Sequence, residues 1–291
     1  MTNRVTLTLI ALVSFALNSL LCRAALGAGL IDASSFTLVR LAAGAAVLAV
    51  VAGVASAGTP RAAPGPRAGS AGSAAALFFY ALPFSLAYRG LSAGTGAFVV
   101  FGCVQATMLG ADLISGGRLR LREIGGLSLS LIGLFVLTRP GQESPDPVSV
   151  LLMAVAGFSW GVYSLRGRNS GPPIQATARN FAMAVPLALA AALAATLAGL
   201  ATAHASPKGL LLAAVSGAVT SGLGYAAWYA ALPSLSKPHA AIVQLAVPPL
   251  AAALGVLLLG ETLGPRLWVA APMILGGIAL AVLGTVPSKD D

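Results

Sequence analysis

The chain has 291 residues, 57% of them apolar and only 9% charged, with a mean hydropathy of +0.90. Water-soluble domains carry about a quarter charged residues, so this balance excludes one and describes an integral membrane protein. The net charge of +9 sits on basic residues scattered over short loops, which gives no continuous track for a phosphate backbone and excludes a nucleic-acid partner.

Apolar runs of the length that crosses the hydrocarbon, about 20 residues, recur ten times. The expected spans are 5–26, 34–57, 74–91, 95–114, 124–137, 148–165, 177–200, 210–232, 239–259 and 267–286. The first follows Arg4 as a signal peptide would, but it is long for one and recurs as the sixth, so it is expected to be retained. Residues 58–72, rich in Pro, Gly, Ala and Arg, read as a flexible loop. The fifth span is short and borrows Leu119 and Leu121 from the basic stretch before it. Residues 139–147, with Pro140, Pro145 and Pro147, join two halves. Pro83, Pro186, Pro248 and Pro272 fall inside spans, where a missing N–H bends a helix and frees a carbonyl. Pro248 with Pro249 marks a bend beside a central site. Small residues at four-residue spacing, such as Gly90 with Gly94 and Gly217 with Ser221, predict close helix packing in lipid.

The two halves track each other. Arg23 falls on Arg166 at an offset of 143, Arg40 on Arg179 at 139, Tyr88 on Tyr229 at 141, and Gly117 on Gly260 at 143. Five spans per half force the second copy into the membrane with the opposite orientation, so the expected fold is all-α, with ten transmembrane helices as two inverted five-helix repeats. Such repeats build sites reached alternately from either side. With ten spans both termini share a side. Ten basic residues, Arg4, Arg118, Arg120, Arg122 and Arg166 among them, then fall on that side and five on the other. The positive-inside rule makes it the cytoplasm of a bacterial inner membrane.

In the second half, Tyr229-Ala230-Ala231-Leu232, Ser234-Leu235-Ser236, Pro248, Leu259-Gly260-Glu261 and Gly276-Gly277 follow one another. That order resembles the second EamA domain of the drug/metabolite transporter superfamily. The first half is similar to the same domain, with Arg40 in the second span and Ala87-Tyr88-Arg89-Gly90-Leu91 leading into the fourth. The resemblance covers essentially the whole chain and implies EamA-like repeats at 1–141 and 148–287 that export small metabolites by alternating access. Family members move amino acids, nucleobase-like metabolites or cationic drugs. The chain departs from the pattern where Gly117-Arg118 matches Gly260-Glu261 and where Thr107 matches Pro248, so no role that needs the glutamate twice carries over.

Ionisable groups inside spans are costly and mark function. Arg40 and Arg179 either face a cavity and hold a substrate carboxylate or snorkel to their near interface. Asp112 either couples protons or pairs at the interface with Arg118 to Arg122. Without a clear midplane acid, facilitated diffusion stands beside proton antiport. Tyr225, Trp228 and Tyr229 share one face of the eighth span, Tyr80, Phe84 and Tyr88 one face of the third, and Trp160 with Tyr163 form a pair in the sixth. These rings form aromatic walls around a cavity, pack the core, or join an interfacial belt, the reading expected for Trp268, Tyr88 and Tyr229. Asn18 and Gln244 add uncharged polar groups that need a helix partner or a substrate.

Arginine plus aromatic walls suits neutral and aromatic amino acids as substrates, in a monomer or homodimer embedded in lipid. Export of cationic drugs is the alternative inside the class, disfavoured by the scarcity of buried carboxylates; a non-transporting receptor or scaffold is the alternative outside it. Cys22, Cys103, His204 and His239 show no metal or redox spacing, and no cofactor is expected. Gly157-Phe158-Ser159-Trp160-Gly161 matches a nucleophile elbow in letters, but it lies in an apolar helix without a histidine nearby. It is read as a packing surface, and the chain as no enzyme.

Overall fold

The computed structural model describes residues 2–56, 69–115, 121–138, 145–167, 172–199, 202–235, 240, 243–244 and 246–283. Gly117, Arg118, Leu119, His239, most of the 58–72 loop and the side chain of Asp112 lie outside the described residues. The elements are α1 (Thr2–Leu26), α2 (Ala33–Ser56), α3 (Ala71–Ala87), α4 (Ala93–Ile114), α5 (Leu121–Thr138), α6 (Pro147–Gly167) and α7 (Pro173–Leu197). A single rod follows, made of α8 (Pro207–Val215), a π-helical segment (Ser216–Leu223) and α9 (Gly224–Ala231). Then come α10 (Val247–Leu259) and α11 (Pro265–Leu283). Counting that rod once, ten helical rods are described. Six of them are long and apolar enough to cross a membrane by themselves.

Local chemistry sets the boundaries. Ser70, Ser92 and Ser206 each cap a helix by accepting the N–H three residues on, from Ser73, Thr95 and Gly209. Asp32 does the same for α2 with the N–H groups of Ser34 and Ser35. Gly260 ends α10 in the left-handed conformation at φ +64°, which a side chain would resist. Pro83, Pro186 and Pro272 lie inside α3, α7 and α11 as expected. Pro248 and Pro249 instead occupy the first turn of α10, where a missing N–H costs nothing. The ninth span is thus broken before this pair rather than bent through it.

Charge and polarity are distributed as lipid requires, with apolar side chains outward and polar ones inward. Val54, Phe135, Phe158 and Leu197 are exposed, while Asn18, Arg40, Asn180 and Gln244 are buried. α2 packs on α7, α3 on α6 and α7, α4 on α6 and α10, and α5 on α11. α1 lies against the α8–π–α9 rod and α10, and α2 also against the π segment. Close approach comes from glycine: a Cβ on Gly157 would stand 2.5 Å from the Val100 carbonyl oxygen and one on Gly161 2.7 Å from Thr107, so α6 lies directly on α4. A Cβ on Gly217 would overlap the Arg40 carbonyl, which fixes the π segment against α2.

The loops gather at two ends. At one, Ile31 bridges Ala205, Ser206 N–H donates to the Leu30 carbonyl at 2.8 Å, and Arg23 meets Glu261. At the other, Arg166 donates to Ser73 and Ser70, and the Arg179 stem lies against Gly69.

Candidate functional site

Five elements converge on one buried polar cluster. α1 supplies Asn18, whose Oδ1 accepts from Ser216 at 2.8 Å and from Thr220 and Ser221 at 3.3 Å each. Those three hydroxyls belong to the π segment, and π turns recur at functional sites because they displace side chains from the α-helical register. α2 supplies Arg40, 1% exposed. Its Nε donates to Ser221 Oγ at 2.8 Å, and its Nη2 to the hydroxyls of Tyr225 at 2.6 Å and Tyr80 at 3.4 Å. Its Nη1 has the Cys22 sulfur at 3.9 Å. The guanidinium also stands 5.3 Å from the ring centres of Tyr80 and Phe84, within cation–π range. α3 brings Tyr80, whose oxygen also receives the Tyr225 hydroxyl at 3.1 Å and Asn18 Nδ2 at 3.3 Å.

Every partner of Arg40 among the described residues is uncharged. A buried guanidinium is normally matched by a carboxylate, because hydroxyls lower its desolvation cost only in part.

Around this cluster stands an aromatic cage. Trp160 lies 4.6 Å from Tyr225, 5.0 Å from Tyr80 and 5.3 Å edge-on from Phe15, centre to centre. Its indole N–H donates to Gln244 Oε1 at 3.2 Å, tying α6 to the stretch just before the proline pair. Phe15, Ser19, Tyr80, Phe84, Val100, Phe101 and Trp160 line a cavity of about 10 Å³, room for about one water. This cavity, as the described residues line it, is too small for a metabolite-sized solute unless the helices around it part.

Of the residues singled out from sequence, Asn18, Arg40, Tyr80, Trp160, Tyr225 and Gln244 meet in this assembly. Tyr163 and Trp228 form its flank. Tyr163 stacks near Tyr229 at 5.0 Å and receives Asn180 Nδ2 at 3.4 Å, and the Trp228 indole donates to Ser164 at 3.3 Å. Arg179 is not brought in, since its side chain is exposed near Gly69 at one end of the bundle. Its neighbour Asn180 is the buried residue of that turn: Arg40 is the eighth residue of α2 and Asn180 the eighth of α7. Tyr88 and Tyr229 are not belt residues. Both are buried, at 0% and 1% exposure, with Tyr88 donating to the Ala93 carbonyl and Tyr229 to that of Tyr163, whereas Trp268 is 68% exposed. Sequence reasoning missed Ser216, Thr220 and Ser221 as polar partners; a Ser, Thr and Gly-rich octet inside an otherwise apolar span was the available signal.

At the Arg23 end, Arg23 Nε donates to Glu261 Oε1 at 2.9 Å and Nη1 to the carbonyls of Tyr88 and Arg89. Glu261 Oε2 accepts the first N–H of α4, from Ala93, at 2.9 Å. One ion pair thus joins α1, the α3–α4 turn and the end of α10. Beside it, the Asp32 carboxylate caps α2 and receives the His204 N–H at 3.1 Å. Partial burial raises its pKa, and the N–H and hydroxyl donors of Ser34, Ser35 and His204 outweigh that and hold it below the ordinary 3.8.

Residues 147–283 match the EamA-like transporter family. The uncharacterized Pseudomonas aeruginosa protein PA1977 is 48% identical over 274 residues, covering 94% of this chain and 92% of its own length. A solved crystal structure, described only as that of a protein, superposes with a TM-score of 0.67 over 96% of this chain and 99% of its own, at 22% identity. At that identity the likeness speaks for the fold.

Proposed function

The chain belongs to the EamA-like transporter family through residues 147–283, and on that premise we propose that it exports small metabolites carrying a carboxylate and an apolar or aromatic body, a class that takes in the neutral and aromatic amino acids. The observation that carries this reading is Arg40, buried with uncharged partners and held against Tyr80 and Phe84, two of the rings that line the small aromatic cavity. Guanidinium geometry suits a carboxylate, and the rings of Tyr80, Trp160 and Tyr225 suit an apolar side chain.

Alternating access is the proposed mechanism, by rocking of two inverted repeats at 1–141 and 148–287. The main helix pairings support it, because they exchange into themselves when the first five rods are swapped with the last five. α3 on α6 becomes the α8–π–α9 rod on α1, α4 on α6 becomes α10 on α1, and α2 on α7 and α5 on α11 map onto themselves. The bilayer orientation with both termini cytoplasmic, the inner-membrane location and a monomer or homodimer belong to the same proposal. In it, the Arg23–Glu261 pair closes the outer mouth.

Counterflow of labelled amino acids into sealed proteoliposomes tests the reading. Saturable exchange that falls at least tenfold with alanine at Tyr80, Trp160 or Tyr225 is expected. Absence of exchange for any carboxylate-bearing solute overturns it.

A further inference from the structure

We propose that the central site selects a monocarboxylate anion with an aromatic or branched apolar body and has no subsite for an α-ammonium group, so that each transport event carries one net negative charge. This rests on the transporter reading above and narrows its carboxylate class, ranking amino acids below the analogues that lack the ammonium.

The charge inventory points this way. Of the eight acidic residues, Asp32, Asp146 and Glu261 stand at helix ends, Glu123 lies in the first turn of α5, and Asp112 is the third residue from the end of α4. Glu143, Asp290 and Asp291 lie outside the described residues. Arg40 sits about 10 Å along α2 from the end where Arg23 meets Glu261, and Asp112 about 28 Å along α4 from that same end, at a rise of 1.5 Å per residue. Along the bundle the backbone of Asp112 therefore lies about three helical turns from that of Arg40.

Donors also outnumber acceptors at the centre. The Tyr80 oxygen alone collects Arg40 Nη2, the Tyr225 hydroxyl and Asn18 Nδ2. A carboxylate has two oxygens that accept at about four positions, so it can replace Tyr80 as the target of these donors while its apolar body enters the cavity beside Phe15, Phe84 and Trp160.

An ammonium finds the opposite. An α-amino group lies one carbon from its carboxylate, so its acceptors must stand among the partners of Arg40. There Asn18 Oδ1 already receives three hydroxyls. Among the described residues, the remaining partners of Arg40 are hydroxyls and a thiol beside a guanidinium, which repels a second cation. The orphan Oδ1 of Asn180 belongs to the Tyr163 group, with no hydrogen bond to the Arg40 network.

The physiological consequence concerns the driving force. A monoanion leaving an inside-negative compartment moves down the membrane potential, which at 100 mV sustains about a forty-fold outward gradient without a coupled proton.

Three ligands that share one benzyl body separate the charges: 3-phenylpropanoate, phenylalanine and 2-phenylethylamine. Their binding to the purified full-length protein at pH 7 is read from the fluorescence of Trp160 and Trp228. The expected order is 3-phenylpropanoate at least about tenfold tighter than phenylalanine, as one charge-assisted pair without an ammonium penalty gives, and 2-phenylethylamine without saturable binding. Arg40→Gln removes the difference. Phenylalanine binding as tightly as 3-phenylpropanoate, or no binding of the latter, overturns the proposal, and the wild-type comparison decides even if the variant fails to fold. In proteoliposomes an inside-positive potassium diffusion potential should accelerate 3-phenylpropanoate uptake and an inside-negative one should retard it. Counterflow of phenylalanine without 3-phenylpropanoate leaves the transporter reading standing and removes this one. Flux of no solute removes the transporter reading, while the binding order still decides the charge preference.

Discussion

Replacing Arg40 with methionine separates a binding cation from a structural strut. The side chains are similar in length, and the substitution removes a buried charge whose described partners are all neutral. Ser221 keeps Asn18 Oδ1 at 3.3 Å and Tyr225 keeps Tyr80 at 3.1 Å, so neither hydroxyl is orphaned. Loss of the guanidinium's hydrogen bonds and relief of its desolvation therefore nearly cancel, and thermal stability in detergent should change by no more than about 1 kcal/mol. Carboxylate transport should behave differently. A charge-assisted hydrogen bond contributes about 1.5–3 kcal/mol, so flux at limiting substrate should fall about ten- to 150-fold. The assay is a melting curve of the purified variant paired with proteoliposome flux normalised to folded protein. A collapse in melting temperature with flux per folded molecule intact would refute the reasoning and make Arg40 a strut.

Four further outcomes follow from single observations. Trp160→Phe keeps the ring stacking but leaves Gln244 Oε1 without the indole donor, and should cost about 1–2 kcal/mol in detergent unfolding. Gly217→Ala drives a methyl into the Arg40 carbonyl and should cost at least about 2 kcal/mol, visible as a lowered melting temperature. Glu261→Gln breaks the ion pair with Arg23; in a Cys103→Ser background the buried Cys22, one residue before Arg23, should then react faster with maleimide, and an unchanged rate would show that the pair does not hold that mouth shut. Asp32 has a depressed pKa when folded, so its contribution is complete above the unfolded value and is lost as pH falls through the folded one, below about 4. Asp32→Ala should cost about 1 kcal/mol at pH 7 and progressively less as pH falls below about 4, compared by melting curves.

Much of the architecture is legible in the sequence because the bilayer imposes a length on each helix and removes water from its surface. Ten apolar runs become ten rods, with ends displaced by a few residues where caps outvote hydropathy: Ser70 starts α3 at Ala71, three residues before the apolar run does. The central site was partly legible for the same reason, since Asn18, Arg40 and Gln244 are conspicuous in hydrocarbon. What periodicity does not encode is rotation about a helix axis at a repeat boundary. Aligning Arg40 with Arg179 at an offset of 139 points to the wrong residue of the turn, and one more position selects the buried Asn180. The π segment was illegible as well. It depends on Gly217 meeting the α2 backbone and on Ser216 and Thr220 bonding to Asn18, 198 and 202 residues away in the chain. Tyr88 and Tyr229 sit near span ends and look like belt residues until the neighbouring glycines, Gly96 and Gly167, are seen to leave room for their rings inside the bundle.

The central claim is that this bundle carries a carboxylate-bearing solute across a membrane by way of Arg40 and the aromatic cavity beside it. Trans-stimulated exchange in sealed proteoliposomes tests it most directly, with labelled solute outside and a saturating load of the same unlabelled solute inside. The account predicts transient accumulation above equilibrium that saturates with concentration and disappears in Arg40→Met. Accumulation that persists undiminished in Arg40→Met, or its absence for every aromatic and aliphatic carboxylate tried, would contradict it.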